Sequence, residues 1–496
     1  MSQEPKKMDR RNFLYAGLGA VIVIVGGAAV YFATRSPEVT TVTTTVPTTT
    51  TATTTVPTTT TATTTATTTA TTTATTTTGT TVTTATGTAR PKMQILYMST
   101  YAPALNDWLT ARTLEWAAKK GVDVELSTAS YTEILPKILT GIDTHNPPDL
   151  AFGAGTLIAL MAEDPAARSI EPLDDVINEI GKDDLIPPCS KWYTIDGKQW
   201  GIDLFLFVDV VHLIKPFADE VGRKPEELVT WDDYIEFAKE VKVKHPDMFP
   251  IGHTLGQTYD GTETFWQHSW PLGGGLCTGR SSGQVIFDSN ENKQALQRIV
   301  DLYNEGLISP QMLQADEMLN NNAYLSRSAA FIIEGPTPFY AAVTRNPKLA
   351  GETLLLPPPK GPKGMFTYGS KEALCVFKES KNVDLAKDLL VYIFKDKNAY
   401  TTFIKNGYYA AYPIFKSVEE NLKSDPIWAS YIALESTIVD YTHPLNEPCK
   451  GADEANSKFL FAVPFTDVLI NHKSVDEAIT SVGTQIKDIF KRVYGK

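Results

Sequence analysis

The chain has 496 residues, 42% of them apolar, and a net charge of −12, so it is long enough for more than one lobe and for a sizeable core. Binding to a phosphate backbone depends on clustered Lys and Arg, and an acidic balance of this size excludes nucleic acid as an expected partner. The four cysteines (Cys189, Cys277, Cys375, Cys449) are widely spaced with no C-x-x-C, which excludes a zinc ribbon.

In chain order, a basic segment over residues 1–12 comes first, then Phe13 to Ala33, a run of 21 uncharged and mostly apolar residues. As a helix this run would reach about 31 Å at ~1.5 Å per residue, close to a bilayer's hydrocarbon thickness. Lys6, Lys7, Arg10 and Arg11 precede it and only Arg35 follows closely, which puts the N-terminus in the cytoplasm and the rest outside. Arg10-Arg11-Asn12-Phe13-Leu14 resembles the twin-arginine export signal, with Asp9 where that pattern prefers Ser or Thr. Gly27-Ala28-Ala29 offers the small residues a signal peptidase requires, and cleavage there would leave a secreted domain. An uncleaved signal anchor is the expected form, because a stalk follows and a stalk needs a fixed base. With no cysteine before Cys189, a lipid anchor on a Cys near the cleavage point is excluded.

That stalk occupies 34–90. Thr fills 35 of the 50 positions between Thr40 and Ala89, and none of them is charged. So little apolar surface cannot offset the roughly 1 to 2 kcal/mol per residue that ordering a backbone costs, so a disordered, extended tract is predicted. Thr also accepts O-linked sugar, and Val46-Pro47 and Val56-Pro57 resemble the Pro-punctuated stalks of mucin-like segments. No N-x-Ser/Thr sequon occurs elsewhere to take a glycan.

The remainder carries 40 basic against 54 acidic groups, a balance that favours solubility outside a cell. Met93 to Met98 reads as a strand, Leu105 to Lys119 as a helix, Val122 to Leu126 as a strand, Glu133 to Leu139 as a helix, and Leu150 to Phe152 as a strand ending in Gly153-Ala154-Gly155. Alternation of this kind predicts an α/β fold with a mainly parallel sheet, whose ligands sit at the carboxyl ends of the strands. Tyr101, Gly153 and Gly155 are therefore candidate ligand-binding residues. Asp196-Gly197-Lys198 reads as a hairpin turn. Thr230 is a predicted N-cap with Asp233 three residues on, and Tyr234, Phe237, Ala238 and Val241 share one helix face. Ala329 to Ile333 and Glu372 to Phe377 read as strands, and Leu385, Ala386, Leu389 and Ile393 as the apolar stripe of a helix.

Several of these segments, taken in order over Pro91 to Ser417, resemble the extracellular solute-binding proteins of sugar-importing ABC transporters, the maltose-binding-like family. Pro148-Asp149-Leu150-Ala151-Phe152 is similar to that family's P-D-apolar strand, Trp200-Gly201-Ile202 to its aromatic-Gly-apolar strand entry, and Val229 to Tyr234 to its T-W-D-E-L helix start. Ala329 to Pro336 resembles its A-A-M-x-x-x-G-P segment, Leu356 to Pro362 its P-x-P-K-G-P turn, and Lys381 to Ala386 with Gly407 and Pro413 its late N-K-E-x-A helix and G-x-P loop. Departures are Asp203 in place of a frequent Pro, His212-Leu213-Ile214-Lys215 in place of Y-Y-N-K, and Phe339 later than the usual aromatic.

The resemblance implies a two-lobed periplasmic-binding-protein-like (type II) α/β fold with three hinge crossings, near Asp203 to Val208, Ser326 to Phe331 and Tyr368 to Phe377. Lobe 1 would take 91–205 and 327–370, and lobe 2 would take 206–326 and 371–496. Asp203, Glu334, Gly335 and Tyr368 would border the cleft. The implied partners are a carbohydrate, namely an oligosaccharide, and a permease with its ATPase, with the membrane reached through the N-terminal helix and the chain a monomer. A sugar needs carboxylates or amides for its hydroxyls and aromatic rings for its C–H faces. Trp266 and Trp270, in a run too interrupted for a clean helix, and Tyr412 supply such rings, whereas Trp108, Trp116 and Trp231 belong to helix packing.

Three other functions compete. No G-x-S-x-G, H-E-x-x-H or P-loop points to an enzyme, although 57 acids leave paired carboxylates for glycoside cleavage open. Tyr408-Tyr409 offers hard oxygen ligands for ferric ion within the same fold class. A Thr stalk lifting a domain also describes an adhesin. The seven histidines show no close metal-ligand spacing, and neither a cofactor nor a catalytic residue is expected.

Overall fold

The computed structural model describes residues 90–495. The predicted basic segment, membrane helix and Thr-rich stalk lie outside the described residues, and no helix among the described residues is long and apolar enough to cross a membrane. Arg90–Lys496 forms one compact unit. Its strands, in chain order, are β1 (Lys92–Met98), β2 (Asp123–Ala129), β3 (Leu150–Phe152), β4 (Thr194–Ile195), β5 (Lys198–Gln199), β6 (Ile202–Val208), β7 (Val210–Ile214), β8 (Phe331–Glu334), β9 (Thr353–Leu356), β10 (Thr367–Val376) and β11 (Ile438–Val439).

Two large apolar cores divide this unit. The first surrounds a sheet in which β1 pairs in parallel with β2 and β3, while β10 lies antiparallel to β3 and to β6. The helix Pro103–Lys120 crosses between β1 and β2, burying Leu105, Leu109 and Trp116, and ends where Gly121 takes a left-handed conformation. In the second lobe β7 is flanked by β8 and β9, both antiparallel. Among the described strands, the mainly parallel arrangement expected from the first alternations therefore holds at β1, β2 and β3 and again where β11 pairs with β10, while every other strand pairing is antiparallel. The second lobe is mostly helical. Its Trp231–Lys244 helix starts at a capping box, in which Thr230 N donates to Asp233 Oδ2 at 2.7 Å and Asp233 N to Thr230 Oγ1 at 3.3 Å. One face of that helix buries Tyr234, Phe237, Ala238 and Val241, as their spacing requires.

The chain passes between the cores three times: from β6 into β7 through Asp209, along β10 between Tyr368 and Ala373, and from Ile438 to Tyr441. All three passages are neighbours, because Val208 pairs with Gly369 and Ile438 with Thr367. Two expectations are corrected here. Residues 326–331 make no crossing, since Ala330, Phe331 and Ile333 stay within the second core. The expected shares of the lobes are likewise exchanged over part of the chain. Residues 327–370 pack mostly with the second lobe, with Tyr340, Leu355 and Met365 reaching the first core, whereas Ala373 to Phe377, Leu389, Tyr400 and Trp428 pack with the first. The segment from Tyr441 to Phe490 returns to the second lobe.

Candidate functional site

Between the two cores lies a cleft enclosing about 840 Å³, its open mouth included. From the first lobe, the carboxyl end of β1 supplies Met98 and Tyr101, the end of β3 supplies Gly153, and the end of β6 supplies Phe207. Tyr131, first residue of the helix Tyr131–Asp143, stacks on Tyr101 with ring centroids 5.2 Å apart and planes 7° from parallel. The passages between lobes add Asp209, Tyr368, Ser370, Lys371 and Glu372. Tyr368 in turn lies on Trp270, which lies on Trp266, at centroid distances of 5.7 and 5.6 Å.

The second lobe supplies mostly acid. Its helix Tyr259–Ser269 points its first turns at the cleft, placing Tyr259, Asp260 and Glu263 on the wall, and Glu334 arrives from the end of β8. Thr258 Oγ1 caps the helix by accepting from Gly261 N at 3.1 Å, and Glu317 accepts from Tyr259 N and Asp260 N at 3.0 and 3.3 Å. A carboxylate at a helix N-terminus satisfies donors that the helix leaves free. Glu334 Oε2 accepts from Asn320 Nδ2 at 2.7 Å, and Asp209 Oδ2 from Gln267 Nε2 at 2.7 Å. One carboxylate oxygen from each of Asp260, Glu263 and Glu334 lies within 4.8 Å of the other two, a separation compatible with a shared cation.

Burial raises every one of these acids for which a shift is resolved. Asp209 rises to about 7 and Glu372 to about 8 through desolvation. Asp260, Glu263 and Glu334 are held well above the ordinary carboxylate range, first by burial and then by neighbouring acids of the cleft, Glu334 for Asp260 and Asp209 for Glu263 and Glu334. Among the described residues, the only basic side chain on the cleft wall is Lys371, and it is already paired with buried Asp440. The wall thus combines aromatic faces with hydroxyl acceptors and leaves excess negative charge.

Of the residues expected at the site, the structure brings together Tyr101, Gly153, Glu334, Gly335 and Tyr368. Five others lie elsewhere. Asp203 is completely buried in the first core, accepting from Tyr193 Oη at 2.6 Å. Tyr412 is buried in the same core, where it pairs with Leu206 and donates to Glu419 at 2.6 Å. Trp266 and Trp270 are wholly buried, in and just after a regular helix rather than an irregular run, and back the cleft only through Tyr368. Gly155 packs against the Lys371 backbone and has no room for a side chain. Tyr408 and Tyr409 line a separate surface hollow with Asp425 and Trp428, away from the cleft. Sequence reasoning missed Tyr131, Phe207, Asp209, Tyr259, Asp260, Glu263 and Glu317. The signal for two of them was present, since Thr258 as N-cap puts Asp260 and Glu263, three apart, on one helix face.

Residues 112–435 match the family model of the bacterial extracellular solute-binding protein. An arabinooligosaccharide-binding protein of Halalkalibacterium halodurans is 24% identical over 239 residues, 45% of this chain and 49% of that protein. A diacetylchitobiose binding protein of Streptomyces coelicolor is 25% identical over 343 residues, 64% of this chain and 73% of that one. The chain thus spans about half the length of the first of these curated relatives. Among solved structures, an ABC transporter solute-binding protein from Thermotoga lettingae bound with α-D-tagatose superposes with a TM-score of 0.71 at 20% identity, covering 81% of this chain and all of that one. The chain belongs to the bacterial extracellular solute-binding protein family, and its fold is the two-lobed α/β fold of those proteins.

Proposed function

We propose that this extracellular solute-binding protein captures a carbohydrate, an oligosaccharide, between its two lobes and releases it unchanged to the permease and ATPase of an ABC importer. The observation that carries the reading is the wall of the cleft. Tyr101, Tyr131, Tyr259 and Tyr368 offer faces for sugar C–H groups, and Asp209, Glu263, Glu317 and Glu334 offer acceptors for hydroxyls. The three adjacent passages between the lobes give a hinge about which such a cleft closes. The sugars named for the two curated relatives and for the Thermotoga structure support the same class of solute.

In this reading Phe13 to Ala33 anchors the chain, a monomer, in the cell membrane, and the Thr-rich tract, O-glycosylated, holds the binding unit outside. Fifty residues of linker reach between ~40 Å as a coil and ~150 Å fully extended, which keeps the binding unit near its permease at high local concentration.

The test is thermal unfolding of the full-length chain against a panel of oligosaccharides, monosaccharides, amino acids, peptides and ferric ion. A ligand at about 100 times its dissociation constant adds ~2.7 kcal/mol to the folded state. A raised melting temperature with an oligosaccharide, and its recovery unhydrolysed, is the expected result. Stabilisation by amino acids or peptides alone would overturn the choice of solute.

A further inference from the structure

The carboxylates of the cleft present a charge problem that a neutral sugar does not solve. Asp260 and Glu263 are each more than nine-tenths buried, Glu334 faces them, and among the described residues lining the cleft the one basic side chain, Lys371, is paired with Asp440. Asp260 Oδ2 has no hydrogen-bond partner. Three oxygens within 4.8 Å of one another leave a point no further than about 2.8 Å from each, close to the distance at which calcium takes carboxylate oxygen. Asn321 provides an independent sign. It lines the same cleft, is 5% exposed, and uses its amide nitrogen on the Glu317 carbonyl, while its Oδ1 accepts from nothing in the protein. A buried amide oxygen without a donor is a costly feature unless something in the cleft meets it.

We propose that Asp260, Glu263 and Glu334 hold a divalent cation of calcium's size and hardness, with Asn321 Oδ1 beside it and the cation's remaining positions open to the hydroxyls of the bound solute. The donor set selects the ion: carboxylate and amide oxygens without His or Cys suit a hard cation rather than zinc or copper. Calcium also accepts six to eight oxygens, so three protein carboxylates leave places for further ligands. The bridging role rests on the reading that the cleft takes a polyhydroxylated solute; the cation site itself does not.

The experiment uses the full-length chain, stripped with a chelator and titrated with calcium, magnesium, manganese and zinc by calorimetry and thermal unfolding, before and after an oligosaccharide is added. Calcium is expected to bind saturably without sugar and to raise the melting temperature, and Glu263→Gln and Asp260→Asn are each expected to weaken it at least tenfold. Both variants remove like charge from a crowded site. They should therefore melt at or above the temperature of the metal-free parent, which separates loss of the site from loss of folding. Sugar affinity is expected to fall at least tenfold in the chelated protein. Absence of binding by any of the four ions, or binding unchanged in both variants, overturns the site. Stabilisation of the metal-free protein by glucosamine but not by calcium overturns it in favour of an ammonium group. Calcium binding with no response to any sugar upholds the site and defeats the carbohydrate reading instead.

Discussion

Single residues carry different duties from those their neighbourhood in sequence suggests. Gly155 lies at the end of β3, where a ligand contact was expected, yet a Cβ there would sit 2.1 Å from the Lys371 carbonyl oxygen. Gly155→Ala is accordingly expected to destabilise the fold by about 1–3 kcal/mol through overpacking, measured by denaturant unfolding. A change in solute affinity at unaltered stability would show that Gly155 is a ligand contact after all. Tyr101 is the contrasting case, 39% exposed at the mouth of the cleft and stacked on Tyr131. Tyr101→Ala should leave stability within about 0.5 kcal/mol, as for an exposed position, while weakening the solute. The cysteines divide in the same manner. Cys189 and Cys375 are buried in the first core, whereas Cys277 and Cys449 are buried neighbours in the second, and their interaction raises the Cys277 thiol and lowers the Cys449 one. In an oxidising compartment that neighbouring pair is expected to close a disulfide worth about 2–4 kcal/mol. Thiol labelling of denatured, unreduced protein taken from outside the cell checks this: only Cys189 and Cys375 should react.

Helices with one wet face declared themselves in the sequence, and the helix buried all round did not. The Trp231–Lys244 helix is legible because Thr230 and Asp233 close a capping box and the apolar residues fall at helical spacing. Thr230→Ala should cost roughly 1 kcal/mol, read as a lower denaturation midpoint with unchanged slope. The helix Tyr259–Ser269 is the opposite case. Asp260 through Ser269 are all buried, so polar and aromatic residues alternate without an amphipathic period, and the stretch reads as irregular. With it went Asp260 and Glu263, two of the acids that define the cleft. Glu317 and Asp209 are no more visible, because a carboxylate in a loop or at a strand end reads as a surface group until the fold closes around it. The third passage between lobes, from Ile438 to Tyr441, was misplaced for a different reason: the familial motifs stop at Ser417, before that passage occurs. β10 shows how the first lobe was mis-shared. Only Glu372 to Phe377 reads as a strand in the sequence, whereas β10 begins at Thr367, and nothing local marks the point between Tyr368 and Ala373 at which its packing changes from one core to the other.

At the scale of the whole molecule, the buried acids make the stability of the protein depend on pH in an unusual direction. Asp203, Asp209 and Asp453 are raised from 3.8 to about 7 and Glu372 from 4.5 to about 8, all chiefly by burial. A carboxyl raised in the folded state holds its proton more tightly there than in the unfolded chain. Its contribution is therefore present below its ordinary value and lost as pH climbs through the folded one. Buried His212 and His253 act oppositely. Both are lowered from 6.5 to about 3, so the unfolded chain takes up their protons first and stability falls as pH drops below 6.5. Between about 4 and 6.5 the two groups oppose each other, but above 6.5 the histidines become mostly neutral in both states and the four acids dominate. The metal-free, sugar-free protein should accordingly lose stability steadily from pH 6.5 to pH 8. Denaturant unfolding at fixed ionic strength across that interval measures it, and a flat or rising profile would mean that these carboxyls ionise freely in the folded state. Asp453 places part of this effect between the lobes, since it accepts from Tyr441 Oη at 2.7 Å in the second and from Ala159 N at 3.1 Å in the first. Asp453→Asn keeps a hydrogen-bonding group there but cannot ionise. It is expected to flatten the alkaline decline, and a slope unchanged in that variant would assign the loss to Asp203, Asp209 and Glu372.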